Sequence, residues 1–217
     1  MIDFSFADIV RGILKGGFWT VCLSLIAFAG GGAGGLAMAL ARVSPRAFPA
    51  RLARGYIEFF QGTPLLMQLQ LFFFGLAFLG YDISALTTAA AVLTLYASGH
   101  LAEIWRGCIE AIPRGQWEAG LSLAMTRRQQ LRHIILPQAL RIAVAPTVGF
   151  SVQLVKNTSV TSIIGFLEIT KAGNLIANAT FKPLFVYGLV GLFYFLLCLP
   201  LSVAARRLER RPRAYKS

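Results

Sequence analysis

Long stretches without any charged residue dominate the hydrophobic pattern of this chain. Four of them contain no Asp, Glu, Lys or Arg, and a fifth is interrupted only by Lys156. A helix needs about 20 residues to cross a bilayer core of roughly 30 Å, and each stretch is that long. The stretches lack the two-residue alternation of barrel strands, so their backbone groups must pair within helices. The predicted transmembrane helices cover residues 17–41, 57–80, 84–106, 142–166 and 184–205.

The composition agrees with an all-α membrane protein and excludes a compact soluble domain. Apolar residues make up 56% of the 217 residues and only 14% are charged, against about a quarter in average soluble proteins. The three cysteines lie in or near different spans without metal-ligand spacing, so we expect no metal site. We predict that residues 1–217 form one transmembrane domain, a bundle of five helices surrounded by membrane lipid.

The net charge of +12 is concentrated in three segments of the chain. Most of the 21 Lys and Arg residues lie between spans 1 and 2, between spans 3 and 4, and after span 5. Cytoplasmic loops of membrane proteins carry an excess of Lys and Arg, so the pattern predicts an outward amino terminus and a cytoplasmic carboxyl terminus. Topology thereby accounts for the positive charge, and we expect no nucleic-acid partner.

The link between the third and fourth spans, residues 110–140, is too long for a turn and is patterned like a pair of helices. Residues 118–125 are predicted to form a short helix, and Thr126 is placed to cap a second one over residues 127–135. Pro137 is expected to break the pattern before the fourth span. Two short helices joined to a span form a rigid unit, and a soluble partner that binds these helices can move the span. The alternative is a loop that folds back on the bundle.

Several motifs follow one another in this chain in a characteristic order. They are Gly62-Thr-Pro-Leu-Leu66, Leu101-Ala-Glu-Ile-Trp-Arg-Gly107, Ile109-Glu-Ala-Ile-Pro-Arg-Gly-Gln-Trp-Glu118, Glu118-Ala-Gly120, Leu136-Pro-Gln-Ala-Leu-Arg141, and Lys156-Asn-Thr-Ser-Val160 with Ile164-Gly165. The set resembles the permease subunits of bacterial ABC importers, whose cytoplasmic loop carries an EAA motif. More narrowly, it resembles the subfamily that imports polar amino acids (histidine, glutamate, glutamine, arginine and opines).

The resemblance implies an ABC type I importer permease fold with a cytoplasmic coupling helix, in the bacterial inner membrane. It also implies three kinds of protein partner: a second permease subunit, identical or sibling; a dimer of cytoplasmic ABC ATPases; and a periplasmic amino-acid-binding protein. ATP and Mg would be bound by the ATPase, so we expect no cofactor in this chain and no enzymatic activity of its own. The glycine-rich run Gly30–Gly35 agrees with this, because it lacks the Lys and Ser or Thr of a P-loop.

The resemblance further implies which residues of the loop couple to the ATPase. They are Glu118, Ala119, Gly120, Ala124, Leu136 and Pro137. Glu118 would be the polar contact, and the small Ala119 and Gly120 would permit close approach. The alternative for Glu118 is an exposed residue near a helix start, which favours the helix dipole. The family usually has Gly where Ala124 stands, and Ala costs about 1 kcal/mol more than Gly in a left-handed turn.

Polar residues inside predicted spans are candidates for a substrate path, because lipid-embedded polar groups are costly. Lys156 is the only Lys or Arg well inside a span, and it is followed by Asn157, Thr158 and Ser159. Pro64 is expected to weaken its helix and to free backbone carbonyls for a ligand. The facing candidates on the second and third spans are Gln61, Thr63, Gln68, Ser98 and His100.

Most of these candidates have a structural alternative. Lys156 could pair with Glu103, and His100 could be packed in the interior without touching a ligand. Thr158 and Ser159 could bond back to helix carbonyls. By resemblance, Asn157 matches the family position that faces the ligand. A neutral Asn beside a Lys offers no anion to a cationic side chain, so the pattern favours a neutral or acidic amino acid over arginine or lysine.

Two other functional classes compete with an ABC permease. A membrane-embedded enzyme needs clustered His, Asp or Glu, but the chain has only two histidines, and Asp82 is its only aspartate beyond the amino-terminal segment. A self-contained channel or secondary transporter usually shows internal repeats or coupling carboxylates inside its spans, and this sequence shows neither.

Overall fold

The structure is a computed structural model that describes residues 5–209, and every regular element in that range is helical. In chain order, the elements are α1 (Phe6–Arg42), α2 (Ala47–Gly62), α3 (Leu65–Phe78), α4 (Ala85–Glu110), α5 (Arg114–Ser122), α6 (Arg127–Gln130), a π-helical segment (Leu131–Ile135), α7 (Leu136–Asn157), a 3₁₀ segment (Thr158–Ile164), α8 (Ile169–Thr180) and α9 (Pro183–Glu209). The all-α prediction is confirmed. The basic tail beyond Glu209, which contributes to the predicted orientation, lies outside the described residues.

Four helical stretches among residues 5–209 are long and apolar enough to cross a membrane. They are α1, α4, the joined stretch Arg127–Ile164 and α9, and α3 is a shorter apolar helix. The first of them starts at Phe6, well before the predicted residue 17, because the Asp8 carboxylate accepts a hydrogen bond from the Ser5 amide at 3.2 Å and caps the helix there.

The second predicted span, 57–80, is not one helix but two. Thr63 is extended (φ −113°, ψ 141°), and α3 starts immediately after Pro64. Proline has no amide hydrogen and disfavours helical geometry in the residue before it, so the helix ends instead of bending. α2 is consequently a separate helix that packs on α4 and α1, with Ala53, Ile57 and Phe60 buried.

The glycines of α1 allow it to lie very close to α4. A Cβ atom built on Gly31 would stand 2.5 Å from the Cβ of Ala97, and one on Gly35 would stand 3.0 Å from the Cβ of Leu101. Small residues let helix backbones approach in this way inside a membrane. The glycine-rich run therefore serves packing between helices of the same subunit.

The fourth span is longer than predicted, and Pro137 does not break it. Pro137 is the second residue of α7 and directly follows a π-helical turn, in which the Leu136 amide donates to the Leu131 carbonyl five residues back. The preceding turn is a π-helical segment, Leu131–Ile135, so the chain stays helical from Arg127 onward. The opposite end tightens into the 3₁₀ segment after Asn157 and stops at Gly165, whose φ is +85°.

Helix α8 was not predicted. Its buried residues, Ile169, Ala172, Gly173, Ile176 and Ala177, follow helical spacing and face α1 and α9. The same spacing is present in the sequence, but the segment is too short and too polar to be identified as a span.

Candidate functional site

The predicted coupling loop contains an exposed helix, α5, followed by a tight reversal into α6. Glu118 and Ala119 are exposed on α5, whereas Gly120 is buried. The helix begins at Arg114, so Glu118 lies in its middle and not near its start. The part of the alternative that relies on the helix dipole is therefore wrong, whereas the exposure of Glu118 agrees with it. Leu121 and Leu123 beside it are 66% and 74% exposed, which leaves an apolar strip on the same short element.

Gly120 is the contact point between α5 and α6. A Cβ atom there would stand 2.8 Å from Cγ of Gln130, whose own side chain is buried and donates from Nε2 to the Met125 carbonyl at 3.0 Å. Thr126 caps α6 as predicted, since its hydroxyl oxygen accepts from the Gln129 amide at 3.4 Å. A residue larger than Gly at 120 would have to displace Gln130 from this arrangement.

Ala124, which stands where the family usually has Gly, adopts a left-handed conformation with φ +52°. The Met125 amide donates to the Gly120 carbonyl at 3.1 Å, and the Ala124 amide donates to the Leu121 carbonyl at 2.9 Å. These two bonds form a Schellman motif, which closes the carboxyl end of α5 and normally places Gly at the left-handed position. The loop is thus formed with a strained Ala at the point where it turns.

A hollow of about 320 Å³ opens beside this turn and is lined by Trp117, Leu121, Arg127 and Gln130. The Arg127 guanidinium lies 5.7 Å from the centroid of the Trp117 ring, within cation–π range. Leu136 and Pro137 are not on α5. Leu136 packs into the apolar cluster beneath it, while Pro137 is exposed at the start of α7.

The polar residues at the end of α7 are placed in two different ways. Thr158 is fully buried and donates to the Val155 carbonyl at 2.8 Å, and Ser159 donates to the Lys156 carbonyl at 2.7 Å. Both hydroxyls thus bond back to helix carbonyls, which was the structural alternative. Asn157 is the last residue of α7 and is half-buried, and the neighbouring Lys156 is exposed.

Lys156 does not pair with Glu103. The Glu103 carboxylate instead forms an ion pair with Arg106, three residues along α4. No ion pair among residues 5–209 includes Lys156. Its position in the last turn of α7 is favourable, because a cation there opposes the negative end of the helix dipole.

Gln68 and Thr63 are engaged in holding the break between α2 and α3. The buried Gln68 amide donates from Nε2 to the carbonyls of Phe60 and Thr63, at 3.2 and 3.1 Å, and to the Thr63 hydroxyl at 2.7 Å. The Thr63 hydroxyl in turn donates to the Phe59 carbonyl at 2.7 Å. The break frees backbone carbonyls as predicted, but the side chains of Gln68 and Thr63 already donate hydrogen bonds to them.

The third span contributes Ser98 and His100. Ser98 is buried, donates to the Leu95 carbonyl at 2.8 Å and contacts the Tyr56 hydroxyl. His100 Nδ1 lies 3.0 Å from the Tyr96 carbonyl, and because a carbonyl can only accept, Nδ1 carries the proton. In the neutral imidazole, the other ring nitrogen, Nε2, is then an acceptor.

His100 lies next to α7 in space. Its ring stacks on Phe150, with centroids 5.5 Å apart and planes 14° apart. Asn157 is seven residues farther along that helix, about 10 Å at 1.5 Å per residue. Gln61 borders a cleft that Arg42 and Glu103 also line, and its Nε2 donates to the carbonyl of Gly99, the residue before His100, at 3.5 Å. The structure thus brings His100 to the helix that carries Asn157, with Gln61 bonded to the backbone beside it.

A buried polar cluster that the sequence reasoning missed adjoins the 3₁₀ segment. Glu168 is fully buried in the turn before α8. It accepts from the amides of Thr170 and Lys171, at 2.8 and 2.7 Å, and from the Tyr194 hydroxyl at 2.8 Å. Burial raises the pKa of the Glu168 carboxyl, and these hydrogen bonds oppose the rise. An acidic residue before an apolar pattern of helical spacing was the available signal.

Comparison with known proteins gives a consistent set of relatives. The chain is 34% identical over 198 residues to the "Probable glutamine ABC transporter permease protein GlnM" of Bacillus subtilis (strain 168), covering 91% of this chain and 92% of that protein. It is 34% identical over 201 residues to the "Glutamine transport system permease protein GlnP" of Escherichia coli (strain K12), covering 92% of each.

Two solved structures share the fold. One, described as "Crystal structure of an amino acid ABC transporter with histidines", has 31% identity and a TM-score of 0.89, covering 97% of this chain and 100% of that chain. The other, an inward-facing MetNI methionine ABC transporter, has 21% identity and a TM-score of 0.72, covering 91% and 97%. The second match shows the fold alone.

A sequence model of one family, the "Binding-protein-dependent transport system inner membrane component", matches residues 31–214. The match confirms that the chain is a permease subunit of an ABC importer in the bacterial inner membrane, and not an enzyme. Such an importer works with an ATPase and a binding protein. The chain belongs to the family of binding-protein-dependent transport system inner membrane components.

Proposed function

We propose that this permease carries a neutral polar amino acid, glutamine being the first candidate, from a periplasmic binding protein into the cytoplasm. The observation that carries this proposal is the similarity along about nine-tenths of the chain to permeases described as glutamine transporters. The site chemistry supports it, since Asn157 is neutral and its neighbour Lys156 would repel a cationic side chain.

In the proposed assembly, two permease subunits stand side by side, and each one docks on an ATPase that holds ATP and Mg. The distribution of Lys and Arg supports a cytoplasmic α5 and an outward amino-terminal end of α1. Glu118 and Ala119 face the ATPase, with Gly120 and Ala124 forming the tight turn beneath them. The hollow beside Trp117 would accept an apolar side chain of the partner.

The continuous helix after α5 supports a direct transmission of movement. From Arg127 the chain stays helical through the π segment into α7, and Leu136 and Pro137 lie at that junction. A push on α5 would therefore reach the opposite end of α7, where Asn157 stands, without crossing a flexible linker. We infer that this stretch is the lever that couples ATP-driven closure to the substrate path.

For the substrate path itself we retain Lys156, Asn157, Thr158, Ser159, Ser98 and His100. The structure supports Asn157 and Lys156 best, because their side chains make no hydrogen bond or ion pair among residues 5–209. His100 Nε2 offers an acceptor to an ammonium or amide donor passing along α7. Thr63 and Gln68 act on the path indirectly, by fixing the break beside it.

The coupling role can be tested by reversing the charge of Glu118. The complex of permease, ATPase and binding protein is reconstituted in liposomes, and ATP-driven glutamine uptake is measured for Glu118→Lys. A matched control is Glu58→Lys, which makes the same change at an exposed glutamate on α2. We expect uptake to be lost in the first variant and kept in the second. Equal uptake by the two would remove Glu118 from the mechanism.

A further inference from the structure

The indole of Trp105 joins α4 to α7 by a hydrogen bond between their side chains. Its Nε1 donates to the Thr147 hydroxyl at 2.9 Å, across 42 positions of the chain. Three residues farther along α7, the Phe150 ring stacks on His100 of α4. α7 is thus held to α4 at two points that lie about one helical turn apart.

The α4 side of this contact is fixed by packing. Trp105 packs against a buried cluster to which α1, α2 and α4 each contribute one residue, namely Ala39, Ile57 and Ala102. The glycines of α1 also bring that helix very close to α4. The indole is therefore attached to a tightly packed part of the bundle, and it offers a fixed point against which α7 can be oriented.

α7 needs such a point because its own backbone is weak here. Pro146 lies inside the helix, directly before Thr147, and has no amide hydrogen to donate to the Ile142 carbonyl. Gly149, three residues farther on, lowers the local helix stability further. Proline is a usual cause of kinks in long helices. The direction of the segment after Pro146 consequently depends on what holds this segment to the neighbouring helices.

Asn157 lies on the same face of α7 as Thr147. Residues three, seven and ten positions apart share one side of a helix, so Thr147, Phe150, Leu154 and Asn157 form one row. Phe150 and Leu154 are buried in an apolar cluster that includes residues of α4. Thr147 and Asn157 are about 15 Å apart along the helix axis, at 1.5 Å per residue. Contacts that turn this row toward α4 therefore orient Asn157 as well.

We propose that Trp105 is a positioning residue for transport, which acts through Thr147 to orient the half of α7 that carries Asn157. This inference rests on the proposed role of Asn157 in the substrate path. Trp105 acts without touching the amino acid. Its hydrogen bond fixes the rotation of α7 about its own axis, and the rotation decides which way the Asn157 amide faces.

The test is the number of glutamine molecules transported per ATP hydrolysed, measured in proteoliposomes with saturating glutamine-loaded binding protein. A variant that only reduces the folded fraction lowers uptake and hydrolysis together, and the ratio does not change. Trp105→Phe keeps an aromatic ring but loses the N–H donor, and it should lower the ratio about three- to tenfold, the range expected for one hydrogen bond. Thr147→Val, which loses the acceptor hydroxyl, should lower it similarly. Thr147→Ser is the rescue variant, because it keeps a hydroxyl, and its ratio should exceed that of Thr147→Val.

A double variant tests whether the two residues act through one bond. Trp105→Phe combined with Thr147→Val should lower the ratio no further than either change alone. Ser151→Ala is the matched control, because it removes a hydroxyl of α7 that bonds within the helix, to the Val148 carbonyl at 2.7 Å. Its ratio should equal that of the unmodified permease.

Three results would overturn the inference. They are an unchanged ratio in either single variant, a fall in the double variant equal to the product of the two single falls, and a fall in Ser151→Ala as large as that in Thr147→Val.

Asn157→Ala separates this inference from the proposed function on which it rests. If Asn157→Ala lowers the ratio and Trp105→Phe does not, only the positioning role of Trp105 is wrong. If Asn157→Ala leaves the ratio unchanged, the substrate role of Asn157 is wrong and the positioning role falls with it.

Discussion

Gly31 and Gly32 are adjacent on α1 but face different surroundings, which allows the packing of α1 on α4 to be tested with a matched pair. An added Cβ at Gly31 would stand 2.5 Å from the Ala97 Cβ and 3.2 Å from backbone atoms of Ala97 and Ser98. Ordinary contacts are 3.4–4 Å, so α1 would have to move away by roughly 1 Å. At Gly32, the nearest atom is the far end of Trp105, at 3.9 Å.

The magnitude follows from overpacking a tightly packed site, which costs about 1–3 kcal/mol. Replacing Gly by Ala in a helix gains about 1 kcal/mol, but this gain is common to both variants and cancels in their difference. Gly31→Ala should therefore unfold about 1–3 kcal/mol more easily than Gly32→Ala, and Gly32→Ala should be no less stable than the unmodified protein.

The assay is unfolding of the purified permease in detergent, followed by tryptophan fluorescence during denaturant titration. The two variants are compared at equal protein and detergent concentration. Equal stability of Gly31→Ala and Gly32→Ala would refute the close approach of α1 to α4 at this position. A loss confined to Gly32→Ala would mean that the opposite face of α1 is the packed one.

Three further predictions concern single features of the fold. Ala124→Gly should relieve about 1 kcal/mol of left-handed strain and slow hydrogen exchange of the Met125 amide about fivefold, whereas unchanged exchange would argue against strain at this turn. Gln68→Leu should lower the free energy of unfolding by about 1–3 kcal/mol, because the carbonyls at the α2–α3 break lose their hydrogen-bond donor. Gln70→Leu is a control on the same helix and should change the free energy of unfolding by less than about 0.5 kcal/mol. Burial raises the pKa of the Glu168 carboxyl, so the folded state binds more protons than the unfolded state. The free energy of unfolding should therefore fall as the pH rises from about 4.3 through the raised pKa. A Glu168→Gln variant whose free energy of unfolding changes with pH by the same amount would contradict this.

The main features of the fold follow from the hydrophobic pattern, because length and lack of charge are sufficient to identify a spanning helix. The third and fifth predicted spans agree with α4 and α9 to within a few residues. The pattern does not distinguish one helix from two short ones in line, and 57–80 was therefore predicted as continuous although Pro64 marks the break. The sequence indicates that Pro64 weakens the local helix. Whether the helix ends there depends on whether other side chains can donate hydrogen bonds to the freed carbonyls.

The candidate site could be predicted only in part, for a similar reason. The left-handed Ala124 follows from a departure from the family pattern at a position that turns. The role of Gln68 at the helix break depends on which carbonyls lie within reach, and this is decided by tertiary packing. Glu168 was missed because a buried carboxylate without a cationic partner is not expected from sequence, and because Tyr194, which binds it, is 26 residues away in the chain.

ATP-driven uptake is the measurement that tests the central claim most directly. The permease is reconstituted in liposomes with its ATPase, loaded binding protein is supplied on one side, and accumulation of radiolabelled glutamine is followed with and without ATP. We predict uptake that requires ATP, the ATPase and the binding protein together, and that excess glutamine suppresses while excess arginine does not. Uptake by this chain without the ATPase, or stronger suppression by arginine than by glutamine, would contradict the account.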